Sequence, residues 1–405
     1  MIDFELTDEQ KLVVDTVRQF AARELAPIIE ELDREHRWDP DTFKKYAELG
    51  ITGLCFPEEY GGAGMDYITY GLACEELDYV DTSFRTVLSV HTGLCACGIY
   101  QWGTEEQRQR FLVPLASGEK LGAFGLTEPD AGTDVAGMRT HARRDGSDYV
   151  ITGNKLWISC ASQGDTFLIF AYTDASRKHR GISAFIVNRD EAGPGFQTFP
   201  IKDKSGIWAG DCGGINLDGV RVPKGNLLGE EGEGFKIAMS CLDNGRYSVA
   251  AGSAGCIRAC LDASVKYAKE RKAFGKSIGE FQLVQQMIAK MVSGYETTRL
   301  LYFKAGWLKN KGLRNTRETS LAKWYGTVAA LEAASDAVEV FGAYGFSDEY
   351  PVARYLRNAK APVIYEGTRQ IHTVMQAEYA LGLREDKPLG RMLPGFGEKV
   401  PVGQA

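Results

Sequence analysis

Two apolar runs, "TFLIFAYT" at residues 166–173 and "ISAFIV" at residues 182–187, decide the fold. Both are short, rich in β-branched and aromatic side chains, and bounded by Asp, Gly or Asn, the pattern of strands and not of helices. "DYVITG" at 148–153, just after an Asp145-Gly146 turn signal, and "GGINLDGVRVP" at 213–223 share that texture. Together they predict a compact antiparallel β unit over residues 121–235, ending near "VPKGNLLGEEGEG".

On both sides of this unit the hydrophobic spacing becomes helical. Thr7 followed by Gln10 is a capping-box pattern, and Leu12, Val13, Val17, Phe20 and Ala21 then recur on one helical face. Helical patterning, broken by loops such as "PEEYGGAGMD", continues to about residue 120. Beyond residue 235 come the long stretches "FQLVQQMIAKMVSGYETTRLLYFKAGWLK" and "SLAKWYGTVAALEAASDAVEVFG", long enough for an antiparallel bundle. The expected fold class is therefore α+β multidomain: an N-terminal α-helical domain (1–120), a central antiparallel β domain (121–235) and a C-terminal four-helix-bundle-like domain (236–385). Residues 386–405, rich in Pro and Gly, form a tail expected to wrap a surface or fray.

The chain has 405 residues, 44% of them hydrophobic, which suffices for a sizeable core. A net charge of −7 supplies no basic footprint for nucleic acid and little attraction to an anionic membrane, and no apolar run approaches the length of a spanning helix. Nine cysteines are scattered without a CxxC pair or a His-x-x-x-His partner, as in "GLCACGIY", so they read as free core thiols of a reducing compartment and no metal site is proposed. "MIDFELTDEQ" carries no secretory or transit pattern; the expectation is a cytoplasmic chain, or a mature matrix form if eukaryotic.

Two charged residues stand out against apolar surroundings. In "APVIYEGTRQIHTVM" (361–375), Glu366 follows an apolar run and precedes a helix with Ile371, Val374 and Met375 on one face. Taken alone, such a carboxylate reads as compensation for the dipole of that helix. In "ACEELDYVDTSFRTVLSVHTGL" (73–94), Arg85 lies among Phe84, Val87, Leu88 and Val90, and a buried arginine needs an anion. Asp81, one helical turn earlier, is the simplest partner.

Placed in chain order, "FGLTEPDAGTD" (124–134), "NKLWISCA" (154–161), "ERKAFGKSIGEFQ" (270–282), "VFGAYGF" (340–346) and "YEGT" (365–368) resemble the motifs of the acyl-CoA dehydrogenase family over essentially residues 1–385. The resemblance implies FAD as cofactor, an electron-transfer flavoprotein as acceptor and a homotetramer arranged as a pair of dimers. It assigns Glu366 as the base that removes the α proton of an acyl-CoA thioester, since a carboxylate in a water-poor pocket is a stronger base than one in water. Implied flavin contacts are Phe124, Leu126, Thr127, Gly132 and Thr133, then Trp157, Ile158 and Ser159, then Arg271, Phe274 and Gln282 toward a neighbouring subunit, and Gly342, Gly345 and Thr368. The family's usual Gln and second Gly in "EVFGAYG" are here Glu339 and Ala343.

For the acyl group, "DTSFRTVLS" (81–89), "NGRYSVAAG" and "SDEY" resemble the glutaryl-CoA dehydrogenase branch, to which benzylsuccinyl-CoA dehydrogenase is a close relative. This implies that Arg85 and Ser89 hold a distal carboxylate, with Thr133, Asp243, Arg246, Tyr365 and Gly367 also lining the substrate. Asp78 and Phe84 stand where the glutaryl enzymes carry glutamate and tyrosine, so decarboxylation and the choice between the two substrates stay open. The alternatives are a dehydrogenase of a simple short- or branched-chain acyl-CoA, an oxidase with the same site, or a flavin-binding member without catalysis.

Overall fold

The structure is a computed structural model that describes residues 5–387 and 390–398; the first four residues of "MIDFELTDEQ" and the end of the tail lie outside the described residues. Helix Asp8–Phe20 begins with the capping box: Thr7 Oγ1 accepts from Gln10 N–H (3.2 Å) and Gln10 Oε1 accepts from Thr7 N–H (3.1 Å). Val17 and Ala21 are buried as expected, whereas Leu12 faces solvent. The centre of the N-terminal unit is helix Tyr67–Val80, buried along almost its whole length. It packs against helix Asp8–Phe20 and against the long helices Gly234–Glu270 and Gln282–Asn310.

That central helix does not continue into the arginine-bearing segment. At Asp81 the backbone is extended (φ −165°, ψ 141°), and a separate helix, Thr82–Leu88, starts with the Asp81 carboxylate accepting from Ser83 N–H (2.8 Å). Segment Ser89–Ala96 then runs on as a π-helical stretch, of the kind often found at functional sites.

The β unit holds β1 (Gly122–Gly125), β2 (His141–Asp145), β3 (Asp148–Ser159), β4 (Thr166–Tyr172), β5 (Ile182–Asn188), β6 (Phe196–Pro200), β7 (Cys212–Pro223) and β8 (Leu227–Leu228). They form one sheet in the order β6-β7-β3-β2-β4-β5-β8, with β1 beside β4. Every residue of β4 and β5 is buried, which explains why these strands read as continuous apolar runs and not as alternating ones. The sheet is antiparallel except where β1 meets β4 and His141 of β2 meets Tyr172 of β4. Those parallel contacts were not expected; the β2–β3 hairpin lies between β1 and β4 in the chain, giving the crossover that a parallel pair requires.

The C-terminal unit is built on helices Gly234–Glu270, Gln282–Asn310 and Thr316–Phe341, joined by the shorter Val352–Ala359 and Arg369–Ala380. In the last of these Met375 and His372 are buried but Val374 is 52% exposed, so the inward face is not the expected Ile371, Val374 and Met375. The tail crosses back to the N-terminal unit. Gln101 Nε2 donates to the Arg391 carbonyl and Arg391 Nη1 to the Trp102 carbonyl, Tyr67 Oη donates to the Pro394 carbonyl (3.1 Å), and Phe396 N–H to the Asn310 carbonyl (2.9 Å).

Candidate active site

The turn that carries Glu366 is unusual before its chemistry is considered. Glu366 (φ 53°) and Gly367 (φ 96°) are both in the left-handed region, and a non-glycine residue there signals imposed strain. Thr368 then caps helix Arg369–Ala380 through its hydroxyl, so the capping duty that Glu366 was alternatively read to assist is met by another residue. The Glu366 side chain instead turns inward over Gly245 of helix Gly234–Glu270, where an added Cβ would overlap the carboxylate and Leu94.

Although the residue as a whole is half-buried, Glu366 Oε2 is shut off from solvent and has no hydrogen-bond partner among the described residues. Burial pushes this carboxyl up to about 7, against the opposing pull of Arg85, Lys323 and Arg246. Those cations come from three different helices, and none of them donates to the carboxylate. Arg246 Nε donates to the Glu366 backbone carbonyl (2.9 Å) while its Nη1 bonds Asp243 (3.2 Å), which also accepts from Thr316. Lys323, fully buried, donates to the Gly367 carbonyl (2.6 Å). His372 Nε2 lies 3.3 Å from the Glu366 carbonyl and must donate to it, which leaves Nδ1 to accept from Ser320 Oγ (2.8 Å). Burial, with Lys323 and Arg246 nearby, holds His372 down at about 3, so it is neutral at physiological pH.

Arg85 is 1% exposed and sits beside this turn. Its Nε donates to Asp78 (2.8 Å), which also accepts from Thr82 Oγ1 (2.8 Å), and its Nη2 donates to Tyr365 Oη (2.6 Å). Asp81 is not its partner. It caps the arginine's own helix at Ser83 N–H and is engaged by Arg354 (3.0 Å) and Asn358 (2.8 Å), which leaves Asp78 as the partner of Arg85. Gly252 makes the space for the Arg85–Asp78 pair, since a Cβ there would overlap both side chains. Ser89 lies in the next stretch with its hydroxyl 2.5 Å from that of Ser248.

The expected flavin-contacting residues of the β unit come together around the end of β1. Phe124 and Leu126 are buried, Thr127 is half-buried, and Gly132 and Thr133 are exposed on the loop. Trp157, which a strand position by itself would place in the core, is 56% exposed with φ 61°, at an irregularity between Lys155 and Ile158 where β3 pairs with β7. Ile158 is buried beside it and Ser159 half-buried. Beneath the loop, fully buried Lys155 donates to Glu128 (2.7 Å) and to the Leu126 carbonyl (3.2 Å), and Glu128 also accepts from Arg139 and Thr140 N–H. An exposed, backbone-strained indole beside a loop held from below fits a flat aromatic cofactor. Segment Ser89–Ala96 links this loop region to Glu366: His91 Nδ1 accepts from Gly122 N–H (2.9 Å) at the start of β1, while Leu94 packs at Gly245 with Glu366.

Arg271, Phe274, Gln282, Gly342 and Gly345 form a separate group at the end of the bundle. Arg271 lies over the Tyr344 ring (5.8 Å), next to Gly342 and Gly345, and Phe274, at the tip of a two-strand hairpin, is 95% exposed. Among the described residues, no hydrogen bond joins this group to Trp157 or Glu366 within the chain. Sequence reading missed Lys323, Ser320, His372, Gly245 and the Asp78 pairing. The signal for the first was a lysine in the otherwise apolar "SLAKWYG". All nine cysteines are free, and no group of metal-ligating residues occurs among the described residues.

Comparison with known proteins matches the N-terminal domain of acyl-CoA dehydrogenases over residues 7–119, the middle domain over 123–220 and the C-terminal domain over 232–381. A short-chain specific acyl-CoA dehydrogenase of Clostridium acetobutylicum is 43% identical over 92% of this chain and 98% of its own length. Among solved structures, a chain from work on the electron transferring flavoprotein of Acidaminococcus fermentans superposes with a TM-score of 0.92 at 45% identity, covering 94% of this chain and 100% of that one. A glutaryl-coenzyme A dehydrogenase in complex with glutaryl-CoA superposes with a TM-score of 0.91 at 36% identity, covering 100% of both. The chain belongs to the acyl-CoA dehydrogenase family.

Proposed function

We propose that this acyl-CoA dehydrogenase oxidises the α,β bond of a short acyl-CoA whose acyl group ends in a carboxylate. The observation that carries the reading is the guanidinium of Arg85, wholly buried and joined through Tyr365 to the turn of Glu366. Glu366 removes the α proton, for which a raised pKa and an unoccupied Oε2 suit it. Bound FAD supplies the acceptor for the β hydride, and Trp157, Thr127, Thr133 and Ser159 are the side chains that would hold it. Asp78 and Tyr365 occupy Nε and Nη2 of Arg85, and Nη1 makes no hydrogen bond among the described residues, so it is the donor for the distal carboxylate, with Ser89 nearby. Gly367, Asp243 and Arg246 shape the thioester side of the pocket, and Thr368 sits at the FAD. Arg271, Phe274 and Gln282 contact the FAD of a neighbouring subunit in a homotetramer, and Gly342 and Gly345 allow close approach of the dinucleotide. Electrons then pass to an electron-transfer flavoprotein, a reading supported by the 45% identical chain from the Acidaminococcus work.

A second reading, oxidation of a plain short acyl chain such as butyryl, is favoured by the 43% identity to a short-chain specific enzyme, above the 36% to the glutaryl-CoA complex. Anaerobic mixing of the FAD-loaded protein with glutaryl-CoA, benzylsuccinyl-CoA and butyryl-CoA separates them. Flavin bleaching fastest with a carboxylate-bearing substrate is the expected result, and mass analysis of the product shows whether carbon dioxide leaves. Preference for butyryl-CoA selects the second reading.

A further inference from the structure

The turn that presents Glu366 is held at two successive carbonyls by cations from two helices: Arg246 of helix Gly234–Glu270 on the Glu366 carbonyl and Lys323 of helix Thr316–Phe341 on the Gly367 carbonyl. The two differ in their other partners. Arg246 has Asp243 as a direct counter-ion, whereas the buried ammonium of Lys323 makes no hydrogen bond to any carboxylate among the described residues. The anion whose charge acts on it is Glu366. Removing an ammonium wholly from water without a bonded counter-ion is costly, so a lysine kept there answers a charge across the turn.

We propose that Lys323 is a positioning residue for the base: its bond to the Gly367 carbonyl locks the left-handed turn that aims Glu366 over Gly245, and its charge favours the ionised carboxylate in that place. The inference rests on Glu366 acting as the base. The charged and titratable groups around Glu366 are Arg85 from helix Thr82–Leu88, with Asp78 behind it; Arg246, with Asp243, from the long helix; Lys323; Tyr365 on the turn itself; and His372 from the helix that follows. Arg85 and Arg246 each have a bonded aspartate, and His372 is neutral, so Lys323 is the cation whose charge is least spent elsewhere. Burial pushes Lys323 down while Glu366 pulls it back up, the reciprocal of its effect on the carboxyl.

Three variants test this against a merely space-filling lysine. Lys323→Gln keeps a donor for the carbonyl without the charge, Lys323→Met removes both, and Lys323→Arg keeps the charge. With each loaded with FAD, kcat/KM is measured against pH. The acid limb of Lys323→Gln should move to higher pH by about one unit or more, the shift expected on losing a close opposite charge. Lys323→Met should show that shift together with a drop in kcat of about tenfold or more, from loss of positioning, at little change in KM. Lys323→Arg should restore the limb. An acid limb within about 0.3 units of wild type in Lys323→Gln overturns the proposal, as does failure of both Lys323→Gln and Lys323→Met to accumulate as folded, FAD-loaded protein. Glu366→Gln is the control: if it stays active, the base assignment has failed and not the role of Lys323.

Discussion

Two buried acidic centres in this protein are surrounded by cations and end in opposite states. Glu75 and Glu76, in the middle of helix Tyr67–Val80, are bonded directly: Arg18 and Arg258 both reach Glu76, Arg258 also reaches Glu75, and Tyr295 and Tyr302 add hydroxyls to Glu75. Burial works to raise Glu76, yet the hydrogen bonds from Arg258 and Arg18 hold it below the usual glutamate range. Around Glu366 three cations also act on the carboxylate, but their hydrogen bonds go elsewhere: those of Arg85 to Asp78 and Tyr365, those of Arg246 to Asp243 and a carbonyl, that of Lys323 to a carbonyl. Nearby positive charge is thus common to both, and direct bonding is what distinguishes a saturated acid from one left free. A saturated carboxylate joins helices; an encircled but unbonded one is available to take a proton.

The largest effect expected from this contrast is in Glu366→Gln. An amide cannot accept the α proton, and loss of a general base lowers turnover by about 10²–10⁴-fold. Stopped-flow flavin reduction reads it, and retention of more than about a tenth of the wild-type rate would erase the distinction between the two centres. Arg85→Ala comes next: kcat/KM for a carboxylate-bearing acyl-CoA should fall by about 2–5 kcal/mol, the range for truncating one member of a buried charge pair, while butyryl-CoA loses little. Equal losses on both would return Arg85 to a purely structural role beside Asp78.

At the other centre, Glu76→Gln should leave turnover per bound flavin unchanged and lower stability by about 2–3 kcal/mol, less than a wholly buried pair would cost because Arg18 is half exposed. Denaturant titration measures it, and loss of activity without loss of stability would break the comparison. The smallest effect is in pH. Because burial raises Glu366 to about 7 and the base must be ionised, kcat/KM should rise with pH through that value and fall about tenfold per unit below it. A limb in the ordinary carboxylate range near ~4.3 would mean that Glu366 is bonded after all.

Much of this was legible in the chain, and the failures have physical causes. The alternation of helix-period and strand-period patterning marked out three units, and Thr7 with Gln10 announced the first helix correctly. Glu366 stood out beside "APVIY", but by itself it read as compensation for the dipole of the following helix, and its reading as a base came from the resemblance of "YEGT" to the family motif. Its lysine neighbour was not legible, since Lys323 reaches the turn from another helix and its spacing in sequence carries no trace of that meeting, while His372, in the helix that directly follows, gave no sign of turning back onto the Glu366 carbonyl. The simplest partner offered for Arg85 was wrong because sequence spacing does not show that Asp81 turns to cap Ser83 N–H and to meet Arg354 from a distant helix, which leaves Arg85 to Asp78. Trp157 defeated a strand-based reading for a related reason, because the local irregularity that turns it outward depends on how β3 meets β7.

The tail has a consequence for how the protein is made. Helix Tyr67–Val80 and the segment near Trp102 leave the ribosome early, yet the Tyr67 hydroxyl, the Trp102 carbonyl and the Gln101 amide find their partners only in residues 391–394. The helical unit that precedes the β unit therefore stays unfinished until residues 391–394 have been made, so a nascent chain stalled before residue 391 would leave those groups open to water and to other chains.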